Sequence, residues 1–163
     1  MAQLIIKKDS KGNINKAIIK DAVAFYCKIQ KPSPIYEQRM MQNPTKTEYS
    51  VDLLVDEDTA DQWDEQFTKQ PSKKMTAAKF KEKFKIEDES VLPDPKAKKF
   101  FLIKVKQAAQ KKDGSDIHPK MRPRVAQVVH GKPVDITFKE LVGNGSKVDV
   151  LMRANENDFG CFA

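Results

Sequence analysis

The sequence Ala-Val-Ala-Phe-Tyr-Cys-Lys-Ile-Gln at residues 22–30 is the clearest structural signal in the chain. Side chains of opposite character alternate along it, which is typical of a β-strand with one buried side and one solvated side. The pattern extends back to Lys16, so we predict one long strand over residues 16–30. Tyr26 and Lys28 fall on its solvated side. The expected buried side consists of Val23, Phe25, Cys27 and Ile29.

Further strands and two helices are predicted downstream. Residues 49–55, 100–107 and 147–154 alternate in the same way, and residues 124–129 and 134–138 flank a turn at His130-Gly131. Helical spacing recurs twice between about residues 57 and 85, first in Ala60, Trp63 and Phe67 and then in Phe80 and Phe84. The chain lacks the βαβ rhythm of a doubly wound sheet, so a small antiparallel barrel or sandwich is expected, with a helical insertion between the second and third predicted strands.

Positive charge is concentrated in one part of the chain. Residues 96–134 carry eleven Lys or Arg against two acids, a balance of +9, whereas the whole chain has a net charge of +7. The remainder is therefore slightly acidic, at −2. A local positive field that coincides with predicted strands favours a polyanionic partner.

Aromatic residues accompany these cations. Phe100, Lys104 and Lys106 share one side of the strand at 100–107, and Tyr26 and Lys28 share the solvated side of the first strand. Rings flanked by cations suit single-stranded nucleic acid, because each base offers a face for stacking and each phosphate offers a charge. The alternative is a solvated lysine surface whose aromatic residues point into the core. The candidate nucleic-acid-binding residues are Tyr26, Lys28, Lys31, Tyr36, Arg39, Phe100, Lys104, Lys106, Arg122, Arg124, Lys147 and Arg153.

Several of these candidates lie outside the two strands. Lys31, Tyr36 and Arg39 belong to a proline-rich connection, which either packs onto the sheet or closes over a bound strand. Arg122 and Arg124 flank Pro123 at a junction between a loop and a strand, and arginine can fork to phosphate or stack on a base. The last two candidates, Lys147 and Arg153, point outward from the final predicted strand.

Other functional classes find little support in the sequence. No apolar run approaches the length of a membrane helix, and the first residues do not resemble a secretory signal. Two widely separated cysteines predict reduced thiols in a cytosolic protein rather than a zinc site. We expect no catalytic residue, no metal and no cofactor. One alternative is a metal-dependent nuclease that uses the carboxylates of residues 52–58, although Asp56-Glu57-Asp58 is also typical of a helix N-terminus.

The order of these features resembles that of the single-stranded DNA-binding proteins of tailed bacteriophages. The resemblance rests on the strand at 22–30, the proline-rich loop, the acidic helix, the strand at 100–106 and Arg-Pro-Arg at 122–124, and above all on Val-Gly-Asn-Gly-Ser-Lys-Val at 142–148. It implies an OB-fold in a single domain spanning residues 1–163. It also implies a non-enzymatic protein that coats single-stranded DNA during phage replication, recombination and repair in the host cell cytoplasm.

The resemblance further implies protein partners, namely the phage DNA polymerase, helicase/primase or recombinase. Such proteins carry an acidic C-terminal tail for partner contacts, whereas this sequence ends Asn157-Asp158-Phe159-Gly160-Cys161-Phe162-Ala163. We therefore expect a shorter C-terminus without that tail. The residues leave open whether RNA replaces DNA, as in an RNA-binding OB module of translation, and whether the protein is a monomer or a dimer.

Overall fold

Antiparallel strands dominate the computed structural model. The described residues are 2–68, 70–92, 94, 96–137, 142–154 and 161–162. Two helices lie among them, α1 (Glu57–Gln66) and α2 (Ala77–Phe84). The strands are β1 (Gln3–Lys8), β2 (Ile14–Pro34), β3 (Thr47–Val55), β4 (Lys73–Thr76), β5 (Lys99–Ala108), β6 (Ala126–Val129), β7 (Lys132–Asp135), β8 (Ser146–Ala154) and β9 (Cys161–Phe162).

The long strand β2 organises the main sheet. The sheet runs in the order β4-β5-β3-β2-β8-β9, and β1 pairs with the first half of β2, whereas β6 and β7 form a separate hairpin. Every described pairing is antiparallel. The predicted antiparallel, mostly β fold is therefore confirmed. The predicted closed barrel is not confirmed, because within the described residues no ladder of hydrogen bonds joins β4 or β5 to β8 or β9.

The helical segment is more divided than the sequence predicts. The N-terminal arm forms β1, so the helices follow the third strand rather than the second, and β4 separates α1 from α2. A single helical insertion between the second and third strands is thus not confirmed, although both helices fall between residues 57 and 85 as expected. None of the helices formed by the described residues is long and apolar enough to cross a membrane.

Two left-handed residues interrupt the regular alternation of β2. Asp21 has φ 54° and Tyr26 has φ 47°, and the pairing of β2 shifts register around each of them. An extra residue in one strand of a ladder reverses which side the following side chains take. Phe25 consequently lies on the opposite side of the sheet from Cys27. The expectation that Val23, Phe25, Cys27 and Ile29 share one side is wrong.

Each side of the sheet packs against one helix. On the inner face, Trp63 of α1 and Phe67, the residue that follows α1, cover a core that includes Ile103 and Val105 of β5. On the outer face, the aromatic residues of α2 cover a smaller cluster. The outer cluster is formed by Val23, Phe25, Leu54, Phe80, Phe84, Leu92, Phe100 and Leu102. The predicted buried sides of both helices are confirmed, and α2 hides part of the outer face.

Candidate nucleic-acid interface

Five exposed lysines converge on the part of the outer face that α2 leaves open. Lys28 lies opposite Ser50, which in turn lies opposite Lys106, and Lys104 lies opposite Asp52. Neighbouring strands are about 4.8 Å apart, so the backbones of Lys28 and Lys106 are separated by roughly 10 Å. Strand β4 and helix α2 each add one more lysine. We call this set the lysine face: Lys28, Lys73, Lys83, Lys104 and Lys106.

The carboxylate of Asp52 lies at the centre of the lysine face. Burial raises the pKa of Asp52, and nearby ammonium groups offset part of that rise. In decreasing order of effect, these groups belong to Lys104, Lys83, Lys73 and Lys28. Lysines from β2, β4, β5 and α2 therefore act on one point. Their charge outweighs that of Asp52, so the surface attracts anions.

Tyr26 presents an aromatic ring beside these lysines. Its hydroxyl donates to the carbonyl oxygen of Lys83 at 2.7 Å, and its ring centroid lies 4.9 Å from that of Phe84. The side chain remains 36% exposed. One side of the ring is thus supported by α2 while part of it faces solvent, which is the geometry of a fixed stacking platform.

The turn at residues 143–146 holds the backbone of Tyr26. Asn144 accepts from the Tyr26 amide through Oδ1 at 2.8 Å, and the Gly145 amide donates to the Ala24 carbonyl at 2.9 Å. Gly145 has φ 89°, a conformation that favours glycine. This turn is the centre of the segment Val-Gly-Asn-Gly-Ser-Lys-Val. Those residues therefore hold Tyr26 in the left-handed conformation that orients its ring.

Phe100 is not available for stacking on a base. It is 4% exposed, and its ring centroid lies 4.7 Å from that of Phe80. The sequence correctly places Phe100 on the same side of β5 as Lys104, but α2 covers that end of the strand. Phe100 is therefore a core residue, and the expectation that it stacks on a base is corrected.

The candidates from the proline-rich connection form a separate group. Lys31 is exposed on β2, and Tyr36 is 70% exposed just beyond the end of that strand. The guanidinium carbon of Arg39 lies 4.1 Å from the Tyr36 ring centroid. Arg39 thus covers one side of the ring, and the pair projects from the loop rather than packing into the core.

Three further candidates, Arg122, Arg124 and Lys147, do not join the lysine face. Gln107, on the inner side of β5, donates to the Met121 carbonyl at 2.8 Å, which places the neighbouring Arg122 on the inner side as well. Arg124 lies 3.5 Å from an Asp135 carboxylate oxygen and lines a groove against inner-face residues. Lys147 is exposed opposite Val23, at the β8 side of the outer cluster. The side chain of Arg153 lies outside the described residues.

Sequence reasoning missed Lys73 and Lys83. Lys73 lies at the start of a four-residue strand, too short for its alternation to be recognised, and it pairs with Leu102. Lys83 belongs to a run of lysines at every second position, a spacing that does not place them on one side of a helix. Its neighbour Phe84 is nevertheless predicted to contact the core. Because Lys83 comes directly before this buried residue at the end of α2, it is expected to lie near the sheet. That position was the available signal.

The acidic segment at residues 52–58 does not assemble into a metal site. Asp56 caps α1 by accepting from the Thr59 amide at 3.0 Å, as the helix-start interpretation predicts. Asp52 lies instead among lysines, which oppose binding of a cation. Within the described residues, no three His, Cys, Asp or Glu side chains are placed to hold a metal ion. The nuclease alternative therefore loses the carboxylate cluster on which it depends.

Comparisons with known proteins give two similar structures. No protein-family model and no curated protein matches the chain. The chain is similar to the solved structure of the single-stranded DNA-binding protein from bacteriophage Enc34 with a C-terminal truncation, at 15% identity and a TM-score of 0.43, over 98% of this chain and 88% of that one.

The second similar structure is the single-stranded DNA-binding protein from bacteriophage Enc34 without that truncation, at 16% identity and the same TM-score of 0.43, over 98% of this chain and 83% of that one. Both belong to the class of protein that the sequence resembles.

Proposed function

We propose that this protein binds single-stranded DNA on the lysine face, with little preference for sequence and without catalysing a reaction. One observation carries the proposal: the partly exposed Tyr26 ring is hydrogen-bonded to α2 at Lys83, and Lys83 acts on Asp52 together with lysines from three other elements. Phosphates would pair with the ammonium groups while a base stacks on the ring. Duplex DNA keeps its bases stacked on each other, so it would use only the lysines.

The biological role follows from the sequence resemblance. We propose that the protein coats and protects single strands during phage replication, recombination and repair in the host cell. Its partners would be the phage polymerase, helicase/primase or recombinase. Of the predicted interface residues, Tyr26, Lys28, Lys104 and Lys106 form the proposed centre, and Lys31, Tyr36 and Arg39 extend it along the proline-rich connection.

Anisotropy of labelled oligonucleotides tests this proposal. Matched single-stranded DNA, duplex DNA and RNA are titrated at salt concentrations from about 50 to 200 mM, with the wild type and with Lys104→Ala/Lys106→Ala. The control is Lys7→Ala/Lys8→Ala, which removes the same charge from exposed positions on β1, at the other end of β2.

We expect single-stranded DNA to bind more tightly than duplex, with affinity falling as salt rises. Losing two phosphate contacts lowers the salt slope by about 1.4, so the Lys104/Lys106 variant loses about sevenfold more affinity at about 50 mM than at about 200 mM salt. The control variant keeps the wild-type slope. Equal slopes in both variants, or equal binding of duplex and single strand, would reject the proposal. Tighter binding of RNA than of DNA would favour the RNA-binding alternative.

A further inference from the structure

A cleft of about 710 Å³ opens where β2 and β5 end and β3 begins. Its lining includes Ile35 and Ala108, which are apolar, and four lysines, one just before β3 and three in or just after β5. These are Lys46, Lys106, Lys111 and Lys112. Among the described residues that line it, Glu48 is the one carboxylate. The cleft therefore combines apolar and cationic side chains.

Hydrogen bonds fix the walls of this cleft. The Ile35 amide donates to the Lys46 carbonyl at 3.1 Å, which closes the proline-rich connection at its base. The Thr47 amide donates to Oε1 of Gln110 at 2.8 Å, and Nε2 of Gln110 donates to the Thr47 hydroxyl oxygen at 2.7 Å. The Lys111 amide donates to the Ser115 carbonyl at 2.7 Å. The cleft is thus formed before any ligand arrives, which lowers the cost of ordering it on binding.

The cleft and the lysine face share Lys106. A single strand that runs along β5 past Lys104 reaches Lys106 and then the mouth of the cleft without crossing the apolar cluster under α2. A nucleotide offers what the lining can accept, because its base suits the apolar side chains and its phosphate suits the ammonium groups. Charge complementarity and continuity along β5 both favour the same strand as the occupant.

We propose that this cleft is a second subsite for the bound single strand, which takes nucleotides beyond those held on the lysine face. This inference rests on the proposed function. It gives a role to Lys111 and Lys112, which follow the end of β5 and lie in the most basic part of the sequence. It also makes affinity depend on the length of the oligonucleotide, because only a strand long enough to cover both subsites can use both.

The test is a length series of oligo-dT strands from about 4 to 16 nucleotides. The variant is Lys111→Ala/Lys112→Ala, whose side chains are exposed, and the matched charge control is again Lys7→Ala/Lys8→Ala. Circular dichroism verifies that each variant is folded. We expect the cleft variant to bind the shortest strands as the wild type does. For the longest strands it should lose about sevenfold more affinity at about 50 mM than at about 200 mM salt.

Three results would overturn the inference, and they separate it from the proposed function. If the cleft variant matches the wild type at every length while Lys104→Ala/Lys106→Ala weakens binding, the cleft is not a subsite and the proposed function stands. An equal loss at all lengths would mean that the cleft does not extend the site. If neither variant weakens binding at any length, the proposed function fails as well.

Discussion

Replacing Tyr26 separates the contribution of a stacked ring from that of the surrounding charge. Tyr26→Ala removes the ring, whereas Tyr26→Phe keeps the ring and removes only the hydroxyl that donates to the Lys83 carbonyl at 2.7 Å. Because Tyr26 is 36% exposed and its ring rests on Phe84, the phenylalanine variant retains the same surface for a base.

The expected magnitudes differ strongly between these two variants. A stacked base contributes about 1–3 kcal/mol, so Tyr26→Ala should weaken binding by about 5- to 150-fold. The salt slope should stay the same, because no charge is removed. Tyr26→Phe should bind within about twofold of the wild type, and its free energy of unfolding should fall by about 0.5–1.5 kcal/mol through loss of one hydrogen bond.

Anisotropy titrations with oligo-dT at several salt concentrations measure both affinity and slope, and urea denaturation measures stability. Unchanged affinity in Tyr26→Ala would refute the stacking argument. If Tyr26→Phe is weakened as much as Tyr26→Ala, the hydroxyl that fixes Lys83 matters rather than the ring. A changed salt slope in Tyr26→Ala would show that the substitution displaces lysines.

Two further substitutions test the outer face. Phe100→Ala should lower the free energy of unfolding by about 3–5 kcal/mol in urea denaturation, with DNA affinity of the folded fraction unchanged, because the ring is buried against Phe80; a loss below about 1 kcal/mol would contradict that burial. Burial raises the pKa of Asp52 in the folded protein, so its contribution to stability is complete at low pH and falls as pH rises through that pKa. Asp52→Asn should remove this loss of stability and should bind oligo-dT more tightly than the wild type at neutral pH. The wild type should gain affinity for oligo-dT as the pH falls, whereas Asp52→Asn should not, which titrations across pH would measure. An identical pH profile for the two proteins would count against the placement of Asp52.

The local patterns of the sequence predicted the elements well. Alternation identified β5 and β8, and helical spacing identified the buried sides of α1 and α2. These signals are local, because each depends only on which side of one element meets the core. Strand β4 escaped prediction because four residues are too few to show a period.

Relations between elements could not be read in the same way. The left-handed residue Tyr26 reverses the sides of β2, and its conformation depends on Asn144, which is distant in sequence. Phe100 was assigned to the correct side of β5, but only the path of α2 decides that it is covered. Lys28, Lys104 and Lys106 meet because of strand register, which a single sequence does not encode in any local period.

The position of the single tryptophan has a practical consequence. Trp63 is fully buried on the inner face, where its indole Nε1 donates to the Gln70 carbonyl at 2.8 Å and its ring lies against Phe67. The sheet stands between it and the lysine face. Its intrinsic fluorescence should therefore change when the protein unfolds and stay unchanged when DNA binds the lysine face. Quenching of tryptophan emission would miss binding there altogether, and the optical signal has to come from the nucleic acid.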